Sequence, residues 1–172
     1  MKVYHASFLE IKNPDTKHSR NYLDFGKGFY VTTIYEQAEK YAQRFIRRGK
    51  PAWINVYELD ENWANWSVRK FDTYNDEWLD FVASCRAGLE VENYDLVIGG
   101  IANDRVILTL DRYFEGTLSK DDALGLLRYE KPNIQYCIRN GGNDKKLFIF
   151  CGEYKVMTKV ELQANKSAKS YA

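Results

Sequence analysis

The sequence contains only three cysteines, Cys85, Cys137 and Cys151. Their number is odd and their spacing is not that of metal ligands, so the sequence indicates neither a disulfide framework nor a zinc site. Because disulfide frameworks belong to oxidising compartments, their lack fits a reducing environment. We therefore expect a cytoplasmic protein without a bound metal.

The sequence also lacks long apolar runs and a large net charge. No run of about 18 apolar residues occurs, so we expect neither a secretion signal nor a membrane span, and no membrane partner. The 25 lysines and arginines nearly balance the 24 aspartates and glutamates. The net charge therefore gives no general electrostatic argument for binding nucleic acid.

One local exception lies near the end of a predicted helix, at Arg44, Arg47, Arg48 and Lys50. Such a cluster either forms a patch for nucleic acid or is a solvated helix end whose cations complement the helix dipole. The sequence leaves both interpretations open.

Aromatic residues, in contrast, are abundant. The 13 Tyr, nine Phe and four Trp can fill a core or line a pocket that stacks on flat ligands. With 172 residues, of which 45% are hydrophobic, the chain is long enough for one domain with a proper core. We expect that domain over residues 1–162, followed by a frayed polar tail over residues 163–172.

Hydrophobic periodicity predicts strands that are mixed irregularly with helices. The predicted strands are Lys2–Phe8, Phe29–Thr32, Trp53–Leu59, Trp66–Phe71, Tyr94–Ile101, Asn133–Arg139 and Tyr154–Leu162. The predicted helices are Ile34–Arg48, Asp76–Leu89, Asp104–Phe114 and Ser119–Tyr129, with caps at Thr33 and Ser119. Lys145–Phe150 is predicted as a short helix or strand, because periodicity does not separate the two. This mixture predicts an α+β domain.

The first candidate site is the strand segment VYHAS. His5 and Ser7 share a strand face, because alternate residues point to the same side. Their side chains can hydrogen-bond vicinal ribose hydroxyls, and the backbone of Ala6 can pair with a flat amide. The alternative is that His5 is a structural or exposed histidine.

The second candidate site lies in FGKGFYVTTIYEQAEKY. Gly26 and Gly28 permit a tight turn into the strand that carries Tyr30, and Tyr41 follows on the next helix. This path can bring the two rings face to face, and such a slot accepts a planar ring such as nicotinamide, with roughly 0.5 to 1.5 kcal/mol from each aromatic pair. The alternative, which periodicity alone favours, is that Tyr41 belongs to the core stripe of its helix.

The third candidate is Gln135 in the strand segment IQYCI. Its amide donates and accepts hydrogen bonds but cannot act as a base at neutral pH. Without the other two segments, Gln135 would be an ordinary surface residue.

Together these segments resemble the H-Y-E group of ADP-ribosyltransferases, which includes the diphtheria-like toxins and the PARPs. YHAS resembles the histidine motif of that group, FGKGFY is similar to the FGKGIY of PARPs, and IQYCI stands where the group has its VEY or NEY strand. The spacing from Tyr30 to Tyr41 equals the spacing between the group's two nicotinamide-stacking tyrosines. Through YDLVIGGIANDRV the chain also resembles a bacterial family of unknown function assigned to this superfamily, so the resemblance covers nearly the whole chain.

The resemblance implies split β-sheets, mixed or antiparallel, with peripheral helices. It also implies that His5 and Ser7 hold the adenosine ribose of NAD⁺, that the backbone of Ala6 binds the carboxamide, and that Tyr30 and Tyr41 sandwich the nicotinamide. The catalytic positions would be His5, Tyr30 and Gln135. Further residues expected around NAD⁺ are Lys27, Gly28 and Asn103, with Asp104 beside Asn103 at the rim of the cleft.

Two positions depart from the group's pattern. Gln135 stands where the group has a glutamate, so the hydrogen bond to the 2′-hydroxyl is kept but the negative charge near the oxocarbenium-like centre is lost. Ala38 stands where PARPs have a serine that binds the nicotinamide amide. Chain elongation needs the glutamate, whereas transfer of a single ADP-ribose remains compatible with glutamine.

The resulting expectation is a mono-ADP-ribosyltransferase that uses NAD⁺ as a substrate and modifies a protein or a nucleic acid. By analogy, it would be a bacterial toxin or phage-defence effector with an antitoxin protein as a candidate partner. One alternative is a catalytically weak or inactive module that binds NAD⁺ or ADP-ribose. Another is a glycohydrolase that passes ADP-ribose to water.

Overall fold

The computed structural model describes residues 1–64, 66–139 and 148–156. The strands are β1 (Lys2–Ser7), β2 (Phe29–Val31), β3 (Trp53–Leu59), β4 (Val68–Lys70), β5 (Leu96–Gly100), β6 (Ile134–Ile138) and β7 (Phe148–Lys155). The helices are α1 (Tyr35–Arg47), α2 (Asp76–Ala87), α3 (Asp104–Phe114) and α4 (Lys120–Leu127). These helices, with one antiparallel and one mixed sheet, confirm the predicted α+β class. Among the described residues, no helix combines the length and the apolar character needed to cross a membrane.

The described residues form two compact units, each with its own sheet. The first unit contains residues 1–14, 32–60 and 148–156, and the second contains residues 15–31 and 61–139 without residue 65. The single domain predicted over residues 1–162 stays a prediction. The predicted tail over residues 163–172 lies outside the described residues.

The sheet of the first unit has the order β1-β3-β7, with both pairings antiparallel. Helix α1 packs on the face of this sheet that carries Tyr4 and Ala6. The buried positions of the helix are Ala38 and Ala42, whose small side chains let its backbone approach Ile54 of β3. This face is therefore a compact layer of helix on sheet.

The start of α1 differs from the prediction. The helix begins at Tyr35, and its N-cap residue is Ile34, which makes no side-chain cap hydrogen bond. The predicted cap at Thr33 is therefore wrong, and the side chain that bonds the start of the helix is that of the preceding threonine. The Oγ1 atom of Thr32 accepts a hydrogen bond from the backbone N–H of Ile34 at 3.1 Å and donates one to the Oε1 atom of Gln37 at 2.9 Å.

The last described strand also differs, because β7 is one strand where two elements were predicted over Lys145–Phe150 and Tyr154–Leu162. Its pairing with β3 shifts register between Val56 and Tyr57. Gly152, which lies at this shift, has a φ of 138°, which favours glycine. The irregularity lets the strand continue through the glycine where the sequence pattern indicated a break. The end of the second predicted element lies outside the described residues.

The sheet of the second unit has the order β2-β6-β5-β4, in which β4 and β5 are parallel and the other neighbours are antiparallel. Helices α2, α3 and α4 belong to the same unit, and the predicted cap at Ser119 is confirmed, since its side chain accepts a hydrogen bond from the N–H of Asp122. One buried cluster forms the core of this unit: Phe25, Phe71, Tyr74, Trp78, Leu79, Val82, Val97, Val106, Leu110, Ala123, Leu127 and Cys137.

A half-buried carboxylate joins three segments of the second unit. The Oδ1 atom of Asp24 accepts hydrogen bonds from the Nε and Nη2 atoms of Arg86 at 2.9 and 2.7 Å. Its Oδ2 atom accepts a hydrogen bond from the backbone N–H of Ala102 at 3.1 Å. Asp24 therefore ties the FGKGFY segment to helix α2 and to the loop after β5.

Replacing Asp24 by alanine is expected to lower the free energy of unfolding by about 2 kcal/mol, because the change leaves a backbone N–H unpaired. It also leaves the half-buried guanidinium of Arg86 with only its 3.9 Å contact to Asp111. Urea unfolding followed by fluorescence measures the change. Asp72→Ala is the matched control, since Asp72 pairs with Lys70 on the surface and its side chain is 75% exposed. Equal losses of stability in the two variants would contradict the role assigned to Asp24.

Candidate functional site

His5 and Ser7 share one face of β1, as the alternation of the strand predicts. The register places His5 opposite Asn55 of β3. Since α1 packs on the other face, its residue Tyr41 and the His5 side chain belong to opposite sides of this sheet. Ser7 is only 7% exposed, and its Oγ atom accepts a hydrogen bond from the N–H of Leu9 at 3.2 Å. Its hydroxyl therefore holds the turn that follows β1.

Asn55 is a positioning residue that the sequence reasoning missed. It is fully buried, and its Oδ1 atom accepts a hydrogen bond from the N–H of Ile11 at 2.7 Å. Its Nδ2 atom donates to the carbonyl oxygens of Leu9 and His5, at 3.1 and 3.4 Å. The amide thus holds the segment after β1 against the sheet beside His5. The signal available in the sequence is a single amide within the apolar strand WINVYEL.

The backbone of Ala6 points to the outer edge of β1, the edge away from β3. At that edge Tyr4 pairs with Thr32: the N–H of Tyr4 donates to the carbonyl of Thr32 at 2.8 Å, and the N–H of Thr32 donates to the carbonyl of Tyr4 at 3.0 Å. Because the backbone groups of alternate strand residues point to the same edge, the N–H and C=O of Ala6 point the same way as those of Tyr4. No loop, turn or side-chain hydrogen bond between described residues uses these two groups. A donor and an acceptor therefore lie side by side at an edge of β1 where, among the described residues, neither has a hydrogen-bond partner; we call this the open edge.

Tyr41 lies on the flank of α1, and its side chain is 40% exposed. Its ring packs edge-on against Phe45, with the centroids 5.8 Å apart, and the guanidinium of Arg44 lies 5.0 Å from its centroid. The interpretation of Tyr41 as a core residue is wrong. The small side chains of Ala38 and Ala42 form the buried stripe instead and leave the tyrosine ring at the surface.

Tyr30 is held by the turn that precedes it. Its hydroxyl donates a hydrogen bond to the carbonyl of Gly26 at 2.6 Å and accepts one from the N–H of Phe25 at 3.1 Å. Its ring packs against the core cluster of the second unit. Burial raises the pKa of Tyr30 far above its ordinary value, so the phenol stays protonated. Any role for Tyr30 in binding therefore uses the face of a fixed ring.

Gly28 is required by packing. A Cβ atom at this position would lie 2.4 Å from the Sγ atom of Cys137 and 2.7 Å from the carbonyl oxygen of Ile138. The N–H of Gly28 donates to the Oγ atom of Ser19 at 3.0 Å. The neighbouring Lys27 is exposed. The Gly-Lys-Gly turn thus brings its backbone against β6 and leaves the lysine at the surface.

Tyr30 and Gln135 lie on the same face of the second sheet. The antiparallel pairing of β2 with β6 puts Tyr30 opposite Cys137, and Gln135 is two residues from Cys137 along β6. Residues in such diagonal positions have Cα atoms about 7 to 8 Å apart. Gln135 is half-exposed and lies opposite Gly99 of β5. Among the described residues, its amide makes no hydrogen bond.

Asn103 has a structural role as the N-cap of α3. Its Oδ1 atom accepts hydrogen bonds from the N–H groups of Arg105 and Val106 at 3.0 and 3.1 Å. Asp104, the first residue of the helix, is exposed. The amide oxygen of Asn103 is therefore already used by the helix, which leaves the amide nitrogen as its remaining hydrogen-bonding group.

Two of the three cysteines are buried and unreactive in character. Burial raises the pKa of Cys85 to about 11 and that of Cys137 to about 12, so both remain thiols at neutral pH. Cys151 is exposed, and no disulfide joins the three. In the part of the chain that the structure describes, no group of three His, Cys, Asp or Glu side chains is arranged to hold a metal ion.

The predicted NAD⁺ residues are divided between the two units. Those of the first unit are His5, Ala6, Ser7 and Tyr41, and those of the second are Lys27, Gly28, Tyr30, Asn103 and Gln135. Within the first unit, the structure brings Ala6 to the sheet face that α1 covers and places His5 on the opposite face. Within the second unit, it brings Tyr30 and Gln135 onto one sheet face.

The fold and these residues define an α+β protein with an open strand edge in its first unit and a tyrosine and a glutamine on one sheet face in its second. The chain belongs to the family described as "Protein of unknown function (DUF3990)", whose model matches residues 1–149. No curated protein matches the chain, and no solved structure matches it.

Proposed function

We propose that this protein binds NAD⁺ and transfers a single ADP-ribose to a macromolecular acceptor, a protein or a nucleic acid. The observation that carries the proposal is the open edge at Ala6. A primary carboxamide such as that of nicotinamide has one carbonyl acceptor and an N–H donor side by side, which complements the free N–H and C=O of this residue. The edge belongs to the segment whose resemblance to the histidine motif of ADP-ribosyltransferases implies the same role.

The aromatic residues support the same reading. Tyr41 has an exposed ring on the helix that packs on the Ala6 face of its sheet, and an exposed ring can stack on a flat ligand. Tyr30 supplies a fixed ring in the second unit. Each ring is a proposed stacking residue for nicotinamide, and His5 and Ser7 are the proposed contacts of the adenosine ribose.

Gln135 would hold the 2′-hydroxyl of the nicotinamide ribose. In the proposed reaction the bond between nicotinamide and ribose breaks heterolytically, and its electron pair leaves with nicotinamide. The acceptor's nucleophilic atom then bonds to the anomeric carbon and releases its proton to water. Orientation of the two reactants supplies much of the rate, because Gln135 has no charge with which to stabilise the cationic ribose.

The cellular setting is proposed by analogy alone. A protein of this size and resemblance would act in the bacterial cytoplasm as a toxin or a phage-defence effector, with an antitoxin protein as its partner.

Gln135→Glu is expected to raise NAD⁺ turnover about tenfold, because a carboxylate adds a charge-assisted hydrogen bond and a negative charge beside the developing cation. Release of nicotinamide measures turnover. Gln43→Glu, the same change on helix α1, is the matched control and should leave turnover unchanged. Unaltered turnover and unaltered NAD⁺ affinity in the Gln135 variant would remove this residue from the site.

A second candidate function is a silent module that binds NAD⁺ or ADP-ribose, and the glutamine at position 135 is the observation that favours it. Incubation with NAD⁺ labelled in the adenylate part, together with bacterial lysate, separates the possibilities. Label that becomes sensitive to protease or to nuclease supports transfer and identifies the class of acceptor. Label recovered as free ADP-ribose indicates a glycohydrolase, and intact NAD⁺ indicates the silent module.

A further inference from the structure

Aromatic rings and cations alternate at the carboxyl end of α1, within the first unit. The ring of Phe8 lies 5.9 Å from that of Phe45, and the Nζ atom of Lys50 lies 4.7 Å from the centroid of Phe8. Arg44 lies over the ring of Tyr41, which itself contacts Phe45. We name this surface the basic–aromatic patch; it consists of Phe8, Arg44, Phe45, Arg47, Arg48 and Lys50.

In the part of the chain that the structure describes, the cations of the patch have no carboxylate partners. Within the described ranges, no ion pair involves Arg44, Arg47, Arg48 or Lys50, although all four are exposed. Some cations elsewhere are paired: the Nζ atom of Lys120, for example, lies 2.7 Å from carboxylate oxygens of both Asp76 and Asp80. The patch is therefore a local excess of positive charge on a chain whose net charge is only +1.

The helix dipole accounts for only part of this arrangement. Arg44 and Arg47 lie in the last turn of α1, where cations complement the dipole. Lys50 lies beyond the helix, and its ammonium group rests on a phenylalanine ring that is 40% exposed. The helix dipole therefore does not explain the position of the Lys50 ammonium group on this ring.

We propose that the basic–aromatic patch binds single-stranded nucleic acid. The arginines and the lysine would contact phosphates, while the face of Phe8 would stack on an unpaired base. A duplex satisfies only the charges, because its bases are stacked on one another and cannot reach the ring. This inference concerns binding alone, and it stands or falls separately from the transfer of ADP-ribose proposed above.

The test is fluorescence anisotropy of a labelled single strand of about 12 nucleotides, titrated with the full chain in the absence of NAD⁺. Phe8→Ala is expected to weaken binding by at least about fivefold through the loss of one stacked base. The double variant Arg44→Gln, Arg47→Gln is expected to weaken binding about tenfold or more. It should also reduce the slope of log affinity against log salt concentration by about 1.4, because each phosphate contact contributes about 0.7 for single strands. All the substituted side chains are exposed, so thermal unfolding should change little.

The segment Arg128 to Lys131 supplies matched controls in the second unit. Arg128 and Lys131 are exposed cations beside Tyr129, whose side chain is 84% exposed. Arg128→Gln with Lys131→Gln, and Tyr129→Ala, should leave the affinity within about twofold of the parent. Equal losses of affinity in the control and patch variants would show that binding is not specific to the patch and would overturn the proposal. No binding, equal binding of a duplex, or binding of an acidic polypeptide in place of the oligonucleotide would overturn it as well.

Discussion

Ala6→Pro is expected to lower NAD⁺ turnover about 100-fold, because proline removes the N–H that would hold the carboxamide, and a misplaced nicotinamide loses its orientation. The substitution is tolerable for the fold. Proline is accepted in edge strands where the N–H points away from the ladder, and the N–H of Ala6 points to the edge beyond β1. Release of nicotinamide measures the loss, and calorimetry measures the affinity for NAD⁺.

Ala6→Gly is the control for this prediction. Glycine keeps both backbone groups and removes only the methyl group, so turnover should stay within about threefold of the parent, given the small size of a single lost contact. Unfolding of both variants is followed by circular dichroism. If the folded proline variant turns over NAD⁺ at the parental rate, the open edge at Ala6 does not hold the carboxamide.

Gly28→Ala is expected to lower the free energy of unfolding by about 3 kcal/mol or more. The new Cβ atom would lie 2.7 Å from the carbonyl oxygen of Ile138, which is backbone and cannot rotate away. Relief requires β2 to move from β6, and this motion would break the pairing that aligns Tyr30 with Cys137. Urea unfolding measures the change in stability.

The same substitution at another glycine, Gly125→Ala, is expected to stabilise the protein. Gly125 lies inside α4, and a Cβ atom there would meet nothing within 4 Å. Since alanine favours helix more than glycine does, this variant should gain about 0.5 to 1 kcal/mol. A Gly28 variant as stable as the Gly125 variant would contradict the packing described for the turn.

Local patterns were sufficient to predict most elements of the fold. Strand β3 and helix α3 have their predicted bounds, because each has an unbroken apolar pattern and clear turn or cap residues at its ends. The cap at Thr33 was predicted wrongly, since the hydrogen bonds of Thr32 depend on how the chain enters the helix. Strand β7 was divided in the prediction because a glycine inside a bulge has the same sequence signal as a glycine that ends a strand.

The sequence predicted less of the candidate site than of the fold. The alternation of β1 correctly puts His5 and Ser7 on one face, but it does not say that α1 packs on the other. The periodicity of α1 likewise includes Tyr41 in the apolar stripe, whereas the close approach allowed by Ala38 and Ala42 leaves that ring exposed. The structural roles of Asn55 and Asp24 were not predicted, because their hydrogen-bond partners are distant in sequence. Asp24, for example, binds Arg86 and Ala102.

The sequence by itself determined the α+β class and the positions of most helices and strands, since these depend on patterns within a few residues of one another. Only the tertiary structure decided which strands are neighbours, that Gly28 must lack a side chain against Cys137, and that the N–H and C=O of Ala6 are left at an open edge. The physical reason is that a backbone group or a Cβ atom acquires its partner from another part of the chain. That partner is decided by the packing of whole elements, which no local pattern contains.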